Sequence, residues 1–263
     1  MTKKRIPIKN ILITGATSGI GKATASIFAK KGYNVIITGR RADRLEEIKS
    51  KFKKKYGVKV KTLVFDVRDK KQVKKSLANL KGDWSNIDVL INNAGLAKGL
   101  DYIHEGSIDD WETMIDTNVK GLLYVTRQVA PKMVKRGAGH IINVCSTAGH
   151  ESYAKGNVYC ATKHAVDALT KGMRLDLFTK GIRVSQVSPA HVEETEFALN
   201  RFDGDSKKAK IYEDFNPLVS KDVAETIHFI VTRPRHVNIQ DVLMMGTQQA
   251  TGGNIDRTGR KYD

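Results

Sequence analysis

The apolar run Ile11-Leu12-Ile13-Thr14 stops at Gly15, and Gly19 and Gly21 follow before a helical pattern begins. A short run of this kind suits a strand buried on both faces, as in a parallel sheet. Ile20, Ala23, Ile27 and Phe28 then recur at helical spacing, and Gly32 ends the helix after about Lys31. The turn Gly15-Ala16-Thr17-Ser18-Gly19-Ile20-Gly21 joins a strand to a helix N-terminus. That context aims backbone N–H groups and the helix dipole at one point, which is how a diphosphate is held. The spacing is GxxxGxG rather than GxGxxG. A glycine-rich turn without a ligand is the alternative, and the flanking strand and helix argue against it.

The alternation continues. Residues 33–39 read as a second strand, 42–56 as a Lys-rich helix, and VKVKTLVFDV as a third strand ending at Asp66. A helix over 69–80 leads to a fourth strand, IDVLINN, which runs into Ala94-Gly95. Residues 108–136 are largely helical, with Asn118 inside and Gly121 just after. A fifth strand, HIINVCS, carries Ser146; a helix holding Tyr159 runs to about Lys180; a sixth strand, IRVSQVS, ends at Pro189. Residues 190–218 are polar and irregular, as an active-site lid is. A helix over 220–231, a strand near IQDVLMM and a polar tail close the chain. No repeat or linker intervenes, so residues 1–263 are expected to form one α/β domain. The expected architecture is a Rossmann-type, doubly wound parallel sheet of about seven strands flanked by helices.

Arg40 and Arg41 follow the second strand, and no acid appears until Asp43. In a dinucleotide fold an acid near this point receives the ribose 2′-hydroxyl of NAD, whereas arginine accommodates a 2′-phosphate. The pattern predicts NADP; two solvated arginines are the alternative. Asp66 is placed either to hydrogen-bond an adenine edge or to cap the next helix. Asparagine is a mediocre helix former, so Asn118 inside a helix asks for a hydrogen-bonding reason.

Tyr159 and Lys163 are four residues apart and share a helix face. A phenol ionises near pH 10, and bringing that value to about 7 takes roughly 4 kcal/mol of preference for the phenolate. A lysine one turn away and a second cation can supply it. With Ser146 holding the oxygen that exchanges the proton, the three residues would form an acid–base site for alcohol and carbonyl chemistry. Alone the pair says little: with 8 Tyr and 31 Lys in the chain, chance produces roughly one Tyr-xxx-Lys.

Composition excludes several classes. No apolar run approaches the ~18 residues that span a membrane, and the basic start MTKKRIPIKN lacks a signal-peptide core. A cytoplasmic protein is expected. Cys145 and Cys160 are the sole cysteines, which suits packed, reduced thiols rather than a disulfide or metal site. The net charge of +17 is uneven: residues 1–81 hold 18 Lys, 5 Arg and 5 acids, whereas 82–263 hold 22 basic and 23 acidic residues. The excess either draws an anionic dinucleotide toward that part of the sheet or reflects lysine-rich, solvated helix faces. A nucleic-acid-binding or NADPH-sensing protein is the rival class, but no nucleic-acid motif accompanies the charge.

TGATSGIG, Asp66-Val67, Asn92-Asn93-Ala94-Gly95, Asn118, Ser146 and Tyr159-xxx-Lys163 resemble the motif set of the short-chain dehydrogenases/reductases, over nearly the whole chain. The resemblance implies Tyr159 as catalytic acid/base and Ser146 as the partner of the substrate oxygen. Lys163 would bind the nicotinamide ribose and lower the tyrosine pKa, and Asn118 would anchor a relay water. It also implies a cofactor-binding set of Gly15, Thr17, Ser18, Gly19, Ile20, Gly21, Arg40, Arg41, Asp66, Val67, Asn93, Ala94, Gly95, Pro189, Val192 and Thr195, with Tyr159 and Lys163.

A narrower resemblance, in DWETMIDTNVKGL, GHIINVCSTAG, VEETEFALNRFDGD and HVNIQDVLMMGTQ, is to NADP-dependent 3-hydroxy acid dehydrogenases, also described as serine or L-allo-threonine dehydrogenases. It implies hydride transfer between NADP and the 3-carbon of a short hydroxy acid (serine, allo-threonine, 3-hydroxybutyrate, 3-hydroxyisobutyrate or 3-hydroxypropionate) or the matching semialdehyde. A reductase of a neutral carbonyl is the second enzyme reading. Family members are commonly tetramers, and the tail QQATGGNIDRTGRKYD, residues 248–263, is expected to reach a neighbouring subunit.

Two departures stand out: Pro189-Ala190 replaces the usual Pro-Gly, and His191 follows. A small backbone shift is expected to absorb the Ala190 methyl group, and His191 is expected to face solvent. A hydroxy acid needs a cation for its carboxylate, ideally arginine. Arg201 is the candidate, the alternative being a surface arginine paired with Asp203 or Asp205; His150 is expected at the pocket rim.

Overall fold

The computed structural model describes residues 8–208 and 210–262, so the first seven residues of the basic N-terminus lie outside the described residues. Strands β1 (Asn10–Ile13), β2 (Asn34–Gly39), β3 (Val60–Val64), β4 (Val89–Asn92), β5 (Gly139–Val144), β6 (Ile182–Pro189) and, at the C-terminal edge, β9 (Asp241–Met244) form one sheet. Its order is β3-β2-β1-β4-β5-β6-β9, and every pairing is parallel. The chain reverses direction across the sheet between β1 and β4, the position where doubly wound sheets open a ligand crevice. All residues of β1 and β4 are buried, as strands covered on both faces must be.

Alternate residues of each strand feed opposite faces. Ile11 and Ile13 of β1 join the layer made by α1 (Gly19–Lys30), α2 (Ala42–Tyr56) and α8 (Ser220–Thr232) through Phe28, Leu45 and Ile227. Leu12 joins the layer made by α3 (Lys70–Ala78), α5 (Leu122–Arg136) and α6 (Asn157–Leu177) through Val73, Val129 and Met173. Each fully buried side chain of this size contributes roughly 1.5–3 kcal/mol.

Helix ends fall where local chemistry places them. Asp69 caps α3, its Oδ1 accepting from the amides of Lys71 and Gln72. Asp66 is therefore not the cap. Gly57 and Gly137 close α2 and α5 in the left-handed conformation.

The helical stretch 108–136 is two helices, α4 (Ile108–Ile115) and α5, joined through a π-helical turn at Asp116–Gly121 that contains Asn118. Residues 190–218 carry a short helix α7 (Phe197–Arg201) between two strands that pair with each other, β7 (Val192–Glu193) and β8 (Leu218–Val219). Alternation had not predicted this small second sheet, because two residues carry no period. No helix among the described residues is long and apolar enough to cross a membrane.

Candidate active site

A cavity of about 550 Å³ opens at the carboxyl ends of β1, β2, β4, β5 and β6. Its floor is built by the β1–α1 turn. Gly15 has φ +65°, a conformation side chains rarely adopt. Gly21 packs so tightly that a Cβ there would lie 2.3 Å from the Gly15 carbonyl oxygen and 2.5 Å from Asn93 Nδ2. Asn93 holds this turn in place, donating from Nδ2 to the Thr14 and Gly15 carbonyls at 2.9 and 3.1 Å. Thr14 Oγ1 in turn accepts from the amides of Asn93 and Ala94, both at 3.0 Å. Helix α1 has no side-chain cap and no acid in its first turn, so its N-terminal N–H groups remain available to an anion.

Of the residues expected to bind cofactor, Gly15, Thr17, Ser18, Gly19, Ile20, Arg40, Arg41, Asp66, Val67, Asn93, Ala94, Gly95, Tyr159, Lys163, Pro189, Val192 and Thr195 line this cavity. Gly21 stands behind the turn. The Asn93 amide faces the turn rather than the cavity. Asp66 pairs with Arg68 at 2.7 Å and lies 4.0 Å from Arg40, with which it lines the cavity.

Arg41 meets an acid that sequence order concealed. Its Nη2 donates to Thr17 Oγ1 at 2.7 Å and Ser18 Oγ at 3.2 Å, and its guanidinium pairs with Glu196 at 2.8 Å. Arg44 reaches the same carboxylate at 2.5 Å. Hydrogen bonds from Arg41 and Arg44 outweigh partial burial and hold the Glu196 carboxyl at about 2.

On the other side of the cavity, Tyr159 and Lys163 lie on one face of α6, both buried. Ser146, which sits just beyond β5 and accepts from the Ala148 amide at 3.2 Å, lies beside Tyr159 in the cavity lining. Lys163 Nζ donates to the Val144 carbonyl at 3.1 Å and stands 5.9 Å from the Tyr159 ring centre. The expected lowering of the tyrosine pKa is not what the chain alone produces. Burial pushes Tyr159 up to about 12 against the opposing effect of Ser146 and Arg201, and burial lowers Lys163. The spacing predicted proximity; it could not predict how completely both groups leave water.

Asn118 does not line the cavity. Its Nδ2 donates to Leu96 O at 2.8 Å and Thr162 Oγ1 at 3.0 Å, and its Oδ1 accepts from Leu96 N at 2.9 Å. The side chain ties the segment after β4 to α6 and has no amide proton left for a water; a π-turn, however, breaks the helical bonding ladder around its backbone.

Arg201 is buried, 8% exposed, and lines the cavity. Its guanidinium carbon lies 5.2, 5.3 and 5.8 Å from the ring centres of Tyr159, Phe197 and Tyr153, and Nη2 donates to Tyr153 Oη at 2.6 Å. Its Nε has no hydrogen-bond partner among the described residues. The acids proposed as surface partners are engaged elsewhere, Asp203 with Lys98 and Asp205 with the amides of Lys207 and Lys208. Tyr153 and Glu196 escaped the sequence reading. The first lies in a turn without periodicity, the second 155 residues from its arginine.

Both histidines differ from expectation. His191 is not turned to solvent: Nδ1 meets Gln249 Nε2 at 2.7 Å, and the ring packs edge-on against Tyr212 and Phe215. Burial lowers its pKa. His150 is not at the pocket rim; its Nε2 meets Ser188 Oγ at 3.0 Å and lies 3.4 Å from Asp241, beside β6 and β9. Ala190 donates its N–H to Met244 O at 2.9 Å and is not among the positive-φ residues, so the extra methyl group is carried without strain. The tail folds onto its own chain's 190–218 segment, through Arg260 with Glu193 and Arg257 with Asp214.

The arrangement suits proton exchange with an alcohol or carbonyl oxygen beside Tyr159 and Ser146, next to a cleft shaped for a dinucleotide. Residues 9–205 match the family model described as short chain dehydrogenase. The chain is 47% identical to the NADP-dependent 3-hydroxy acid dehydrogenase YdfG of Salmonella typhi, over 92% of this chain and 97% of that protein. It is 42% identical to a serine 3-dehydrogenase of Rhizobium radiobacter, over 92% and 96% of the two chains. Its fold superposes on the closed form of a serine dehydrogenase complexed with NADP+ with a TM-score of 0.89 and 45% identity, covering 94% and 99% of the two chains. Serine dehydrogenase from Escherichia coli gives a TM-score of 0.80 at 41% identity, covering 92% and 99%. The chain belongs to the short-chain dehydrogenase family.

Proposed function

We propose that this protein is an NADP-dependent dehydrogenase of short 3-hydroxy acids, acting on the 3-hydroxyl or on the matching semialdehyde. The observation that carries the substrate class is Arg201: a buried guanidinium beside Tyr159, with an unpartnered Nε and no carboxylate paired with it among the described residues. A buried cation without a counter-charge is costly, and a substrate carboxylate supplies one. The names of its relatives, a 3-hydroxy acid dehydrogenase and a serine 3-dehydrogenase, support the same class.

The dinucleotide fits the residues present. The tight Gly15–Gly21 turn and the uncapped start of α1 suit its diphosphate, and Arg40 and Arg41, with Thr17, suit a 2′-phosphate. Asp66 and Val67 lie at the adenine end; Ala94, Gly95, Pro189, Val192, Thr195 and Lys163 line the way to Tyr159. Held there, NADP would supply the hydride acceptor for the 3-carbon, and NADPH the hydride donor for the semialdehyde.

The side chains divide the remaining work. Arg201 orients the substrate by its carboxylate, Ser146 Oγ hydrogen-bonds the 3-oxygen, and Tyr159 exchanges the proton with that oxygen. A phenol held at about 12 is protonated at neutral pH, the form that donates during semialdehyde reduction. Oxidation requires cationic help to reach the phenolate, and Lys163 is the nearest lysine on that face. Asn118 positions Leu96 and Thr162 around them, and residues 190–218 act as the lid. A homotetramer is supported by the exposed apolar residues Ile108 and Ile115 of α4 and Leu175 of α6, and a reducing cytoplasmic location by two buried free thiols.

The test is NADPH formation from NADP+ with serine, allo-threonine, 3-hydroxybutyrate, 3-hydroxyisobutyrate and 3-hydroxypropionate. Turnover on one or more of these acids is expected. Activity confined to their esters would replace this reading with a reductase of neutral carbonyls.

A further inference from the structure

Glu196 stands immediately before α7, the helix that runs across the cavity. At this end its carboxylate is held by Arg41 and Arg44, and Ser18 Oγ accepts from the same Arg41. At the other end Arg201 lies over the Tyr159 ring, and Phe197 meets that ring edge-on at 5.6 Å. One turn and a half of helix thus joins the adenosine arginines to the substrate arginine.

Arg41 already uses its Nη1 and Nη2 on Glu196, Thr17 and Ser18. A 2′-phosphate seated on the same guanidinium, bearing up to two negative charges, would face a carboxylate at hydrogen-bond range. Two anions at that separation repel in a half-buried setting, so one must move. The Glu196 side chain is 31% exposed and sits on an irregular segment, with its neighbour Glu194 at φ +58°. It is the part free to leave.

We propose that Glu196 is an internal stand-in for the 2′-phosphate: it competes for Arg41 and Arg44, sets how strongly the enzyme prefers NADP, and is released when the phosphate arrives. Release frees the leading end of α7, so arrival of the correct cofactor loosens the segment that carries Arg201. The inference rests on the reading that Arg41 receives the 2′-phosphate, and it adds the residue against which that phosphate must compete.

Calorimetry separates the two. The ligands are 2′,5′-ADP and 5′-AMP, neither of which reaches the substrate side, titrated into nucleotide-free wild type and Glu196→Gln. Wild type should prefer 2′,5′-ADP; if it binds both equally, the arginine reading itself fails. Given that preference, Glu196→Gln should bind 2′,5′-ADP about tenfold tighter, equivalent to ~1.4 kcal/mol, with 5′-AMP affinity within about twofold of wild type. Unchanged or weaker 2′,5′-ADP binding overturns the proposal, because Glu196 would then only orient Arg41. Hydrogen exchange gives a second readout. Amides of residues 196–204 should exchange faster when wild type binds 2′,5′-ADP and should already be fast in the variant. Protection of that segment on binding overturns the release.

Discussion

Replacing Arg201 by Met tests the substrate assignment most sharply. The side chain is 8% exposed, keeps its apolar stem out to about the Nε position in methionine, and loses its charge, its bond to Tyr153 and its place over three rings. A charge-assisted, partly desolvated contact to a carboxylate is worth roughly 3–4 kcal/mol when one partner is removed. At ~1.4 kcal/mol per decade, kcat/KM for a hydroxy acid should fall about 10²- to 10³-fold. Folding should suffer little, because the lost Tyr153 bond, about 1 kcal/mol, is offset by removing a buried guanidinium nitrogen without a partner. A Tm within about 4 °C of wild type is expected. The assay compares 3-hydroxybutyrate with its methyl ester, following NADPH formation by both enzymes. The acid should lose at least about tenfold more than the ester. Equal losses on both would refute the reasoning and reduce Arg201 to a prop for Tyr159 and Phe197.

Other consequences follow from the same geometry. Arg41→Met should weaken NADP+ binding by roughly tenfold or more and leave NAD+ nearly untouched, as measured by calorimetry. Gly21→Ala places a methyl group 2.3 Å from a backbone oxygen that cannot yield without moving the turn, so dinucleotide affinity and Tm should both fall. Tyr153, Tyr159 and Tyr212 are each pushed up to about 12 by burial. The unfolded value is about 10, so the folded chain holds protons that the unfolded chain gives up. Stability from these groups is therefore complete below pH ~10 and is lost as pH rises toward ~12. Urea midpoints across that range should show the fall, and Tyr212→Phe should reduce it. A midpoint that does not change with pH would contradict the burial assigned to these phenols.

The sheet was legible because parallel strands covered on both faces are predominantly apolar. ILI, VIIT and VLIN are such runs, and each ends in residues small enough to leave room for a ligand. Glycine spacing and the Tyr-xxx-Lys register located the two halves of the cleft for the same reason, since both are local. What was not legible is long-range or depends on burial. Glu196 meets Arg41 across 155 residues, and no period links them. His191 looked like a polar loop residue, but Gln249, Tyr212 and Phe215 enclose it. The upward shift of Tyr159 follows from loss of solvent, which spacing does not encode. Asp66 was open to reading as a helix cap, but the amides of Lys71 and Gln72 are held by Asp69, three residues on, which the sequence reading had not singled out.

The most direct test of the account is Tyr159→Phe, which removes one oxygen and leaves the ring packed against Phe197 and Arg201. NADPH formation from a short 3-hydroxy acid and calorimetric NADP+ binding should be measured on the same preparation. Turnover should drop by at least about 10³-fold while NADP+ affinity stays within about threefold of wild type. Turnover that survives the loss of the phenol would contradict the assignment of Tyr159 as the group that exchanges the substrate's proton.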